Sequence, residues 1–171
     1  MGLPKGGVVI RSYDDDWATE FKKEKEHLRK LLGDCVIEHI GSTAVKGLSA
    51  KPVIDISVGF TTEQEISGAA KILENAGYDF HPNARGSLTF VRRNASGHGT
   101  HIIHVETKQK TGESVKFRDY LKTHPEAARE YEAVKFDLAA RFPNDRRAYS
   151  QGKVEFIKSV LERTGLLKQH W

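Results

Sequence analysis

The sequence predicts an α+β domain: a leading helix, a mixed β-sheet of about five strands, and a C-terminal helical segment. Three observations carry this. Apolar residues recur at helical spacing at both ends of the chain. Short runs rich in β-branched residues, bounded by Gly, Asn and Ser, fill the middle. One of those runs, Val53 to Phe60, is nearly all apolar and belongs at the centre of a sheet. The 171 residues suit a single domain, with 14–106 as the sheet core and 113–165 as the C-terminal helices.

Residues 14–32 read as the first helix. Asp14, Asp15 and Asp16 crowd its first turn, where acids suit the helix dipole. Trp17, Phe21, Leu28, Leu31 and Leu32 form its apolar stripe, and Gly33 is its stop. Val36 to Ile40 is the first strand and Val53 to Phe60 the second. Glu63 to Ala76 is a helix with Ile66, Ala69, Ala70, Leu73 and Ala76 inward, closed by Gly77. Gly77 to Phe80, Ser87 to Arg93 and Thr100 to Glu106 are three more strands, and 94–99 is the turn of a hairpin. From Glu113 the pattern is helical: Val115 to Lys122, Glu126 to Phe142, and about Arg146 to Arg163. Thr123 and Glu126 have capping-box spacing, and Pro125 fits a first turn.

The composition excludes several classes. No apolar run approaches the ~20 residues of a membrane span, and the N-terminal residues carry no apolar leader segment. Cys35 is the single cysteine, so no internal disulfide forms and a reducing cytoplasm is the expected location. Cys35 sits in an apolar run and is expected to pack rather than react. No P-loop, Gly-x-Ser-x-Gly elbow or zinc-finger spacing occurs. Net charge is +4, split as −1 over 1–107 and +5 over 108–171. That basic C-terminal third suits a phosphate-rich ligand, and a solvated helix surface accounts for it equally well.

The chemistry concentrates in two stretches. Gly41-Ser42 follows the first strand and opens what reads as a helix. Gly41 allows close backbone approach, and Ser42 adds a hydroxyl beside helix-start N–H groups, so the pair can seat a phosphate. An ordinary turn with a Ser cap is the plainer reading. Asp55 is a lone carboxylate among Val53, Ile54, Ile56 and Val58, where packing asks for none. Nucleotide chemistry needs a metal held by carboxylates near the phosphates. His104 and Glu106 are two apart and share a strand face. If Asp55 shares that face, Asp55, His104 and Glu106 form a one-metal site. His104 could instead act as a general base, or simply bond backbone at a sheet edge. His101 points the other way. Arg85, Arg92, Arg93, Lys51, Lys135 and Lys153 are candidate phosphate contacts, and Arg92 and Arg93 alternate in facing.

Glu38-His39-Ile40-Gly41-Ser42-Thr43-Ala44-Val45, Gly47-Leu48 and Lys51-Pro52-Val53-Ile54-Asp55 closely resemble the GrpB-like family, whose fold is nucleotidyltransferase-like. The resemblance continues at Thr100 to Val105, at Phe117-Arg118-Asp119-Tyr120-Leu121, and at Tyr149, Gly152-Lys153 and Phe156-Ile157. It implies a nucleoside triphosphate substrate and a divalent metal, Mg²⁺ or Mn²⁺, with Zn²⁺ suggested by His104. Taken with the residue readings above, the expected phosphate contacts are Gly41, Ser42, Thr43, Lys51, Arg92 and Lys153, the last favoured by its family-like motif; Asp55 and His104 are the expected catalytic residues, and Asp55, His104 and Glu106 the expected metal ligands.

Three positions depart from the pattern. Ser57 stands where the superfamily has a second acid, Lys46 where the family usually has proline, and Ile102 where it has the first of two histidines. The leading expectation is a metal-dependent nucleotidyltransferase-fold protein acting on a small-molecule acceptor. A polynucleotide acceptor is disfavoured, because no long basic arm or aromatic platform is evident. Ser57 keeps open a non-catalytic nucleotide- or metabolite-binding module, and a metal-dependent phosphohydrolase is a third reading.

Overall fold

The most apolar run forms the middle of the sheet. In a computed structural model, which describes residues 1–82, 87–163 and 165, β2 (Ile54–Phe60) lies between β1 (Val36–Ile40) and β5 (Gly99–Thr107). Beyond β5 come β4 (Leu88–Arg93) and β3 (Asp79–His81), so the described residues form a five-stranded sheet of order β1-β2-β5-β4-β3. β2 and β5 run parallel, and the other neighbours are antiparallel. The sheet is mixed, as the sequence predicts. Arg85 lies outside the described residues.

Parity divides the sheet into two unlike faces. One face carries Ile37, Ile54, Ile56, Val58, Phe60, Phe90, Ile103 and Val105. It packs with Trp17 and Leu28 of α1 (Asp16–Leu32) and with Ile66 and Leu73 of α2 (Glu63–Asn75). Cys35 packs against this core, where burial raises its thiol pKa. The other face carries Glu38, Asp55, Ser57, His104 and Glu106, aligned by the registers Glu38↔Ser57 and Ser57↔His104. Against it lies α3 (Lys108–Thr123), followed by α4 (Pro125–Arg141) and α5 (Arg146–Arg163). Two smaller apolar clusters, around Leu121 and Tyr131 and around Leu138 and Tyr149, hold these helices. No helix among the described residues is long and apolar enough to cross a membrane.

Four local expectations change. Gly41-Ser42 opens a single 3-10 turn, Ser42–Ala44, rather than an α-helix. α3 starts at Lys108, earlier than the predicted Val115, because the Thr107 side chain caps it by accepting from the Lys110 N–H. Thr123 does not cap α4. Its hydroxyl donates back to the carbonyls of Asp119 and Tyr120, and Pro125 alone supplies the predicted start. The full capping box sits instead at Thr62 and Glu65 of α2, and Ala76 is exposed just past that helix.

Candidate functional site

Gly41 is where backbone freedom and close approach are both required. Its φ is +71°, which favours glycine, and a Cβ there would lie 2.9 Å from Asp55 Oδ2. The turn is thereby seated against the Asp55 carboxylate, which β2 presents directly opposite Ile40. His39 supports the turn from the other face. Its Nε2 lies 3.0 Å from Thr43 Oγ1, and its ring stacks on Phe21 at 4.6 Å. Burial drives the His39 pKa down to about 4, so the ring is neutral at pH 7. Thr43 is buried and its hydroxyl engages His39. It therefore positions the turn, and the phosphate contact expected of it is not presented. A three-residue 3-10 turn has little dipole, so the Gly41-Ser42 seat depends on its N–H groups and the Ser42 hydroxyl.

The structure brings Asp55 and His104 together. His104 Nε2 lies 3.5 Å from Asp55 Oδ1, and both side chains keep partial access to solvent. Burial acts to raise the Asp55 pKa. The His104 hydrogen bond and the charges of His104, Lys51 and Lys153 outweigh it and hold the carboxyl at about 2. Glu106 shares their face but is engaged elsewhere. Ser57 Oγ donates to Glu106 Oε1 at 2.6 Å and lies 2.8 Å from Thr111 Oγ1 of α3, all buried. Among the described residues no group of three or more His, Cys, Asp or Glu stands close enough to hold a metal. The expected set of Asp55, His104 and Glu106 is thus not gathered. Two members adjoin, and the third is held by the serine that replaces a second acid.

A cationic wall faces Asp55 from the loop before β2 and from α5. The Lys51 Nζ lies 5.1 Å from the centre of the Tyr149 ring, and the Lys153 Nζ 4.7 Å from it. Tyr149 is itself buried, with its phenol pKa raised by burial and then by Tyr131 and Asp55. Burial, then the charges of Lys153 and Arg146, push the Lys51 amine well below its usual range. The Arg146 Nη2 is buried with no hydrogen-bond partner. α5 can come this close because Gly152 has no side chain: a Cβ there would stand 2.4 Å from Leu138 Cδ2 of α4. α4 in turn grips the Ser49 peptide from both sides. Glu132 accepts its N–H at 2.8 Å and Lys135 donates to its carbonyl. Burial, followed by the Lys153 charge, lowers the Lys135 pKa to about 7. Lys135 is therefore a strut for the loop that leads to Lys51.

The remaining candidates lie elsewhere. Arg92 pairs with His101 and so points to the α1 face, where it bonds the buried Glu24, which also accepts from Tyr78 at 2.5 Å. The sheet separates Arg92 from Asp55, and it is not among the groups that could bind phosphate there. Arg93 bonds Asp79 at 2.5 Å. His101 is buried on the α1 face, its Nδ1 3.0 Å from Thr100 Oγ1. Arg118 of the family-like helical motif bonds Glu38, the His39 carbonyl and Asp119, and so docks α3 on β1. Sequence reading missed Arg146 and gave Tyr149 no part in the phosphate site. A signal existed: Arg146, Tyr149 and Lys153 are three and four apart, and so line one helix face.

Similarity to known proteins extends over most of the chain. The family model described as GrpB protein matches residues 7–163. Glutamate-rich protein GrpB of Alkalihalophilus pseudofirmus is 35% identical over 172 residues, which cover 94% of this chain and 98% of that protein. The crystal structure of conserved protein GrpB from Enterococcus faecalis superposes with a TM-score of 0.75 at 26% identity, covering 92% of this chain and 99% of that one. The Cid1 poly(U) polymerase with MgGTP bound superposes with a TM-score of 0.51 at 16% identity, covering 76% of this chain and 44% of that one, a likeness of fold alone. The sheet order, the Gly41-Ser42 turn against Asp55 and the matched family thus converge: this chain belongs to the GrpB family and has a nucleotidyltransferase-like fold.

Proposed function

We propose that the protein binds a nucleoside triphosphate at Asp55 and transfers its nucleotidyl group to a small-molecule acceptor in the cytoplasm. One observation carries the reading: Lys51 and Lys153 act on the Asp55 carboxylate beside the Gly41-Ser42 turn, and Arg146 adds its charge next to Lys51. Cations gathered beside one carboxylate make a positive field that a phosphate chain would neutralise. Asp55 and His104 fit one divalent ion only if phosphate oxygens complete its shell, which is how Mg²⁺ is usually bound. Such an ion would neutralise charge on the transferred group. The acceptor oxygen would attack the α-phosphorus in line and pyrophosphate would leave; the acceptor's proton would pass to solvent while His104 serves the ion, or to His104 Nε2 where Asp55 alone holds it.

Nucleotide-dependent pyrophosphate release, measured across ATP, GTP, CTP and UTP with Mg²⁺ or Mn²⁺ and a panel of small hydroxyl and amine acceptors, tests the proposal. The expected result is release in wild type and none in Asp55→Asn. A second reading is favoured by the Ser57–Glu106 bond, which removes two would-be metal ligands: a nucleotide- or metabolite-binding module without turnover. Thermal shift separates them. A ligand at ~100 times its Kd adds ~2.7 kcal/mol, so a shift without pyrophosphate release selects the binding module. No shift with any nucleotide refutes both.

A further inference from the structure

We propose that Lys51, Lys153 and Arg146 hold a polyphosphate chain directly, so that capture needs no metal ion and only transfer does. This rests on the nucleotide-site reading and specifies its ligand: a di- or triphosphate chain, free or carried by a nucleoside.

The side chains that could hold metal ions here are few. Asp55 offers one carboxylate, with His104 beside it. Position 57 offers a hydroxyl, which donates to Glu106. Cations, in contrast, are gathered. Lys51 and Lys153 both stand over the Tyr149 ring, so their ammonium nitrogens lie no farther apart than the two ring distances together. The ring gives the two stems a fixed, buried surface, which limits the entropy lost when an anion is bound. Arg146 precedes Tyr149 by about one turn of α5 and adds the third charge.

The Arg146 guanidinium gives the independent pointer to a ligand. Its Nη2 is buried and meets no acceptor. Arginine stays charged at any working pH, and a buried N–H without an acceptor carries a desolvation cost. A phosphate oxygen supplies what is missing, and the planar fork suits phosphate geometry. Lys135 does not belong to the cradle, because its ammonium is bonded to the Ser49 carbonyl and balanced by Glu132. The cradle therefore gathers Lys51, Lys153 and Arg146 on the side of the site that Asp55 faces. A single phosphate monoester would under-fill it. A chain of two or three phosphates reaches several cations at once.

Titration calorimetry on the full chain, with EDTA present, tests this using ATP, inorganic tripolyphosphate and AMP. ATP and tripolyphosphate should bind without metal, and AMP at least about tenfold more weakly. Arg146→Met and Lys153→Met should each weaken ATP about tenfold or more, in line with the loss of one charge-assisted bond. Lys153→Arg, which keeps the charge, should retain most of the affinity, and circular dichroism checks that each variant is folded. ATP binding more tightly than tripolyphosphate supports the cradle and assigns the nucleotide as its ligand. Equal affinities support it and assign the free chain as an equal ligand. Binding of ATP that requires Mg²⁺ overturns this inference and leaves the nucleotide site standing. Metal-free binding that neither methionine variant weakens also overturns it. Absence of binding with and without Mg²⁺ overturns the nucleotide site as well.

Discussion

Replacing His39 by glutamine should flatten the acid limb of this protein's stability curve. In the folded chain the His39 pKa falls from 6.5 to about 4, chiefly because the ring is buried between β1 and α1 and stacked on Phe21. In the unfolded chain the ring takes a proton near its ordinary value. Between those two values the unfolded state binds more protons, so acidification favours unfolding. The stabilisation is fully present above pH 6.5, fades as pH falls, and is gone below about 4. A shift of about 2.5 units at 1.36 kcal/mol each makes the loss about 3 kcal/mol. The substituted glutamine has no titration in this range, and its amide can still meet Thr43 Oγ1. Losing the stack with Phe21 lowers the variant's stability by an amount independent of pH. Urea unfolding followed by circular dichroism, in steps from about pH 7.5 to about pH 4, gives both curves. His101 and the carboxylates titrate in both proteins, so they cancel in the difference. The gap between wild type and His39→Gln should close by about 3 kcal/mol across that range. Two parallel curves would refute a neutral, buried His39 beneath the Gly41-Ser42 turn.

Two further substitutions separate packing from chemistry. Gly152→Ala places a Cβ 2.4 Å from Leu138 Cδ2 and should cost about 1–3 kcal/mol by urea unfolding; an unchanged midpoint would refute close contact between α4 and α5 there. Ser57→Ala removes the hydroxyl that bonds Glu106 and meets Thr111, and should cost about 1–3 kcal/mol while leaving nucleotide affinity within about twofold. Loss of nucleotide binding at unchanged stability would show instead that Ser57 or Glu106 touches the ligand.

Much of the architecture is legible along the chain. Val36–Ile40 forms a strand over the predicted residues, and the last helix spans Arg146–Arg163, the range predicted. Both follow from local periodicity and from turn-forming neighbours. Parity along one strand is equally local, so His104 and Glu106 share a face as expected. The early start of α3 is less legible, because Thr111 and Gly112 interrupt its pattern and its cap comes from a strand residue, Thr107. Sequence reading marked Thr43 and Arg92 as phosphate contacts. Their real partners, His39 and Glu24, are set by a ring packed under the turn and by the pairing of β4 with β5.

The sequence by itself determined the α+β class, the strand and helix segments, the Gly41-Ser42 turn and the isolated carboxylate at Asp55. These depend on side-chain period and backbone freedom within a few residues. Tertiary structure alone decided which charges meet. Asp55 reaches His104 through the parallel register of β2 and β5, and Lys51 reaches Lys153 because α5 docks through the bare Gly152 onto α4. Ser57 reaches Glu106 by that same register, and this withdraws a carboxylate that the spacing alone leaves available. Register and docking are chosen by burying apolar surface across distant segments, a free-energy term summed over the whole core.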